Sequence, residues 1–154
     1  VSSVDGSGLV QLTHSRDPKS SPCWSPDGQQ ICFVSQSGKP ALYKINATGG
    51  TPQRISTMAY GSITEPDWSP DGKKIVFTSM TGSFNLYVVD LKTGETTEAL
   101  VAGEDPCWAP NSRTVIYTRR EGGKRVLSLL DVPTKSKKDV RQISGSCSQP
   151  SWAK

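Results

Sequence analysis

Short runs of alternating apolar and polar residues fill the chain, separated by Pro, Gly, Asp and Asn at intervals of roughly ten residues. Side chains on a strand alternate with a period of two, so Ile31 with Phe33, Ile75 with Phe77 and Val115 with Tyr117 each share one strand face. A second strand follows each, anchored by Tyr43, Tyr87 or Leu127. A short outer strand is predicted after that, in Pro52–Ile55, Thr96–Val101 and Asp139–Ile143. No stretch carries the periodicity of an amphipathic helix.

These runs are copies of one unit. Pro22-Cys-Trp24-Ser-Pro-Asp-Gly28, Pro66-Asp-Trp68-Ser-Pro-Asp-Gly72, Pro106-Cys-Trp108-Ala-Pro-Asn-Ser112 and Pro150-Ser-Trp152-Ala repeat a single phrase, with tryptophan spacings of 44, 40 and 44 residues. In the first two, Pro presets the turn and Asp27-Gly28 or Asp71-Gly72 closes a hairpin, Gly taking the left-handed corner. The third keeps Pro and Asn but has Ser112 where Gly belongs, so that turn is expected to be strained.

A period in the low forties with strand content predicts an all-β fold, a partial β-propeller. About three four-stranded blades are expected, with half-blade ends. The divisions fall at 1–20 (end of a preceding blade), 21–63, 64–104, 105–146 and 147–154 (first strand of a closing blade). Propellers close with about four to eight blades. The chain is therefore expected to be part of a longer ring, or one of two chains that complete one. The aromatic rings of Trp24, Trp68, Trp108 and Trp152 are expected to pack between neighbouring blades.

Hydrophobic residues make up 34% of the chain, and the mean hydropathy of −0.45 suits thin β cores. No apolar run approaches a membrane span, so no membrane insertion is expected. The net charge of +4 is uneven: residues 109–154 carry a balance of +7 and residues 1–108 one of −3. Arg119, Arg120, Lys124, Arg125 and Lys135 to Lys138 supply the excess. A solvated edge that discourages strand addition is expected there; a patch for an acidic partner is the alternative. Nothing interleaves aromatics with these charges, so nucleic acid is not expected.

Catalytic signatures are missing. There is no Gly-x-Ser-x-Gly elbow, no phosphate loop and no dinucleotide fingerprint. His14 is the one histidine, and no Cys-x-x-Cys occurs, so neither catalytic residues nor a metal or cofactor site are expected. Cys23 and Cys32 fall opposite one another across the first hairpin. Buried thiols are the expected state, and a cross-strand disulfide is the alternative in an oxidising compartment. Just ahead of each tryptophan lie Ser21, Glu65 with Asp67, Asp105, and Gln149. First strands are innermost in a blade, so these residues are expected to ring one mouth of the central channel. Glu65, Asp67, Asp105 and Gln149 are the candidate partner-binding residues, set against ordinary loop solvation.

Trp68-Ser-Pro-Asp-Gly-Lys-Lys-Ile-Val-Phe-Thr-Ser79, followed by Leu86-Tyr-Val-Val-Asp90 and Lys92-Thr-Gly-Glu95, resembles the PD40 repeat of TolB-type propellers. The resemblance runs through essentially the whole chain. The same repeat is found in propellers of prolyl oligopeptidase-type peptidases and tricorn-like proteins. Termination at Ser148-Gln-Pro-Ser-Trp-Ala-Lys154 resembles the end of a TolB chain rather than a peptidase, in which a hydrolase domain follows. The resemblance implies the C-terminal half of a TolB propeller and a non-enzymatic periplasmic scaffold of the Tol–Pal system. It further implies a Pal-like lipoprotein as protein partner, and roles in outer-membrane integrity and cell division. The alternatives are an accessory peptidase propeller and a self-associating half-propeller. The family's N-terminal α/β domain and its TolA-contacting segment have no counterpart in these residues.

Overall fold

The computed structural model describes residues 1–55, 61–97, 100–141 and 145–152. Twelve strands occur among them, grouped into three four-stranded antiparallel sheets in the orders β1-β2-β3-β4, β5-β6-β7-β8 and β9-β10-β11-β12. The first sheet holds β1 (Lys19–Trp24), β2 (Gln30–Ser35), β3 (Ala41–Asn46) and β4 (Gln53–Arg54). The second holds β5 (Ser62–Trp68), β6 (Lys74–Met80), β7 (Phe84–Asp90) and β8 (Val101–Ala102). The third holds β9 (Glu104–Trp108), β10 (Thr114–Glu121), β11 (Lys124–Asp131) and β12 (Ser136–Asp139). Each sheet is a blade. β5 lies beside both β1 and β9, so the tryptophan strands are innermost.

The turns follow the repeat. Gly28 and Gly72 sit at φ 68° and 73°, and the Ser25 and Ser69 amides reach across the hairpin to donate to the Gln30 and Lys74 carbonyls. Asp27 and Asp71 lock these turns by accepting from the Gln29 and Lys73 amides. Ser112 adopts φ 52° without the freedom of glycine, and its hydroxyl accepts the Asp71 amide of the neighbouring blade at 2.9 Å. The expected strain is thus accompanied by a bond between blades that Gly has no atom to make.

Blades join through two apolar layers. Trp68, Ile75, Phe77, Tyr87 and Val89 of the second blade pack on Cys32, Val34 and Leu42 of the first. Trp108, Val115, Tyr117 and Leu130 of the third pack on Val76, Leu86 and Val88 of the second. Trp68 and Trp108 therefore each face the preceding blade. Trp68 and Trp108 are 3% and 0% exposed, whereas Trp24 is 51% and Trp152 is 37% exposed. Packing between blades thus holds for the two middle tryptophans and fails for the outer two. Residues 1–18, expected from the repeat to end a preceding blade, form no strand; Leu12 packs with Tyr43 against the Ile31, Phe33 and Ile45 cluster. A strand needs a partner for its backbone groups, and no described strand pairs with residues 1–18. Likewise no strand forms in the described residues 147–152.

Two further sequence expectations are corrected. Phe33 pairs with Tyr43 and Phe77 with Tyr87, their rings stacked at 6.0 and 5.7 Å. Tyr117 instead pairs with Ser128, not Leu127. One extra residue lies between the paired positions, and a one-residue slip turns every following side chain to the other face. Leu130, opposite Val115, becomes the buried anchor and Leu127 is left half-buried. The outer strand of that blade is Ser136–Asp139 rather than Asp139–Ile143, because the turn through Thr134 and Lys135 (φ 58°) brings the chain back sooner. Residues 142–144 lie outside the described residues, as do 98–99 of the expected Thr96–Val101 strand, which pairs through Thr96 and then Val101.

Candidate functional site: the inner rim of the blades

Ser21, Glu65, Asp105 and Gln149 all have left-handed backbones, at φ 51°, 54°, 55° and 53°. Each stands immediately before a proline. In each of the three blades, the inner strand carries one extra residue at this point: the register shifts between Ser20 and Cys23, between Thr64 and Asp67, and between Glu104 and Cys107. The proline has no N–H for the ladder, and such residues are confined to edge strands and bulges. The bulge turns the N–H of the residue before the proline out of its own sheet, where it needs another acceptor.

That acceptor comes from the preceding blade. The Asp105 amide donates to Glu65 Oε2 at 2.9 Å, and the Gln149 amide donates to Asp105 Oδ2 at 3.1 Å. Two residues deeper, the Trp108 amide donates to Asp67 Oδ2 at 2.7 Å. The candidate residues therefore form a relay along the inner rim: Glu65 and Asp67 fasten the third blade, and Asp105 fastens the segment at Gln149. Charge-assisted bonds of this kind are stronger than neutral ones. Glu65 also accepts from Thr78 Oγ1 at 3.0 Å. Asp105, one methylene shorter, leaves the equivalent Thr118 hydroxyl buried without a hydrogen bond. Burial, more than the neighbouring Asp105 charge, pushes the Glu65 carboxyl above its usual range, against the opposing pull of the bonds it accepts.

The structure brings Glu65, Asp105 and Gln149 together on one rim and sets Asp67 just inside it. Their left-handed backbone and the link between blades have no signature in composition; the recurring polar-residue-then-proline step ahead of each tryptophan is the signal that marks them. Near Asp67, Trp24, Pro26, Trp68, Pro70 and Pro110 line a cavity of about 490 Å³.

Four arginines of the third blade are paired with carboxylates. Arg119 bridges Asp139 at 2.8 Å and Glu121 at 2.7 Å, and Ser128 joins the same cluster through Asp139. Arg125 and Arg120 approach Glu104 at 3.4 and 3.8 Å, and Arg113 pairs with Asp131. Lys137 and Lys138 lie on β12, the outermost strand, where charge opposes edge-to-edge pairing. Among the described residues no cluster of three His, Cys, Asp or Glu side chains suited to a metal is present, and no helix is long and apolar enough to cross a membrane.

Comparison with known proteins agrees with the blade repeat. The chain is 38% identical, over 99% of its length, to the Tol-Pal system protein TolB of Bordetella pertussis, and it spans 35% of that relative. It superimposes on the crystal structure of TolB from Acinetobacter baumannii with a TM-score of 0.83 at 28% identity, covering 97% of this chain and 39% of that one. A puromycin hydrolase, at 21% identity and TM-score 0.74 over 97% of this chain and 27% of that one, shares the fold. The model of the TolB beta propeller domain, PD40, matches residues 1–154, so the chain belongs to the TolB β-propeller family.

Proposed function

We propose that this chain is part of a non-enzymatic periplasmic binding scaffold of the Tol–Pal envelope system. It contributes to outer-membrane integrity and division by meeting a Pal-like lipoprotein at the inner rim. The observation that carries this reading is the relay of Glu65, Asp105 and Gln149, which holds an acidic rim in one geometry across blade boundaries. A rim whose backbone is already fixed loses little entropy on binding a partner. The relatives named as Tol-Pal system proteins supply the biological setting.

Calorimetry with a soluble Pal-like domain tests the site. Glu65→Lys and Asp105→Lys should each weaken binding at least tenfold. Because both also remove a bond of the relay, Gln149→Lys serves as the companion variant: it adds charge to the same rim while leaving both carboxylates in place. Unchanged affinity in all three sinks the site assignment.

A further inference from the structure

Cys23 and Cys32 are direct partners across β1 and β2. Opposed residues of an antiparallel pair have Cα atoms about 4.5–5.5 Å apart, inside the window of about 4.4–6.8 Å that a disulfide spans. Both side chains point to the second blade: Cys32 is fully buried in the layer with Val34, Leu42 and Trp68, and Cys23 packs against that layer while remaining partly accessible. Both are thiols in this structure. Burial, and then a hydrogen bond with the neighbouring Cys23, push the Cys32 thiol up. The other cysteines lack this arrangement. Cys107 holds the same repeat position as Cys23 but faces Ile116, and Cys147 lies outside every strand.

We infer that Cys23 and Cys32 form a redox-active pair that closes to an intramolecular disulfide at the boundary of the first and second blades. The accessible Cys23 reacts first. Its thiolate attacks one sulfur of a disulfide oxidant, forming a mixed disulfide and releasing one thiolate of the oxidant. Cys32, once deprotonated, then attacks the Cys23 sulfur and displaces the second thiolate. The protein gives up two protons and two electrons, and one oxidant disulfide is reduced to two thiols. The bond ties β1 to β2 next to the Ser21 bulge. It therefore fixes the inner hairpin that carries Trp24, the half-exposed tryptophan of the first blade.

Oxidised glutathione is the probe. The folded chain is incubated with it, remaining thiols are capped with N-ethylmaleimide, and the products are digested without reduction for mass spectrometry. The expected result is two maleimide adducts instead of four, a 2 Da loss before capping, and one cross-linked peptide pair joining Cys23 to Cys32. Cys147→Ser should leave that linkage intact. Four persistent adducts, a linkage through Cys107 or Cys147, or glutathione retained on Cys23 overturns the inference. Measurement on the unsubstituted chain keeps the test independent of whether variants at the buried Cys32 fold.

Discussion

The four tryptophans occupy one repeat position, yet the structure gives them different weights, and their replacement by alanine measures that difference. Trp108 is wholly buried against Val76, Leu86 and Val88. Its truncation leaves a large cavity between two blades and should destabilise the chain by about 3–5 kcal/mol. Trp24 keeps half its surface in water, with no blade covering it among the described residues. Half the burial leaves about 1–2 kcal/mol to lose. The indole N–H refines the comparison. Trp68 Nε1 donates to the Gly72 carbonyl at 3.2 Å, whereas Trp108 Nε1 is buried with no acceptor. Phe keeps most of the ring and removes the N–H, so Trp68→Phe should cost about 1 kcal/mol more than Trp108→Phe. Urea unfolding of the 154-residue chain, followed by circular dichroism, provides the values. If Trp24→Ala costs as much as Trp108→Ala, the assignment of Trp108 burial to the preceding blade is wrong.

Three other sets of outcomes follow from polar contacts within and between the blades. Ser112→Ala keeps the left-handed corner but loses the bond to the Asp71 amide, and should cost about 1 kcal/mol in urea unfolding; Ser112→Gly loses the same bond but relieves the backbone, and should fall within about 1 kcal/mol of the unsubstituted chain. Asp105→Glu brings the carboxylate within reach of the buried Thr118 hydroxyl, reproducing the Glu65–Thr78 bond, and should raise stability by about 1 kcal/mol; a lowered urea midpoint would count against the relay. The third concerns pH. A carboxyl raised by burial, as in Glu65, favours the native state while protonated, below its unfolded value of 4.5; that contribution is lost as pH rises through the folded value, so Glu65→Gln should remove this loss. Asp131, held at about 2 chiefly by its bond from Arg113, acts oppositely: its contribution is present above the unfolded value of 3.8 and lost as pH falls towards 2, so Asp131→Asn should remove that acid-side loss. Urea midpoints measured from pH 2 to 7 test both signs.

The repeat and its local chemistry were legible residue by residue. Strand alternation marked Ile75 with Phe77 as one buried face, Pro-Asp-Gly marked the turns, and tryptophan spacing marked the blades, because each depends on contacts within a hairpin. The candidate rim was half legible. Its position ahead of each tryptophan could be read, but its left-handed backbone and its bonds to the next blade could not. Those bonds join Glu65 to Asp105 and Asp67 to Trp108, residues about forty apart, and exist only once blades stack. The same limit explains Leu127, where a one-residue slip reverses a face without altering the hydrophobic pattern. It also explains Trp24 and Trp152, which match Trp68 and Trp108 in phrase but not in burial. Local pattern sets which residues form a blade, since pleat and turn act over a few residues. Burial and the partners of polar backbone groups depend on the neighbouring blade, so they were decided by the stacking of distant parts of the chain.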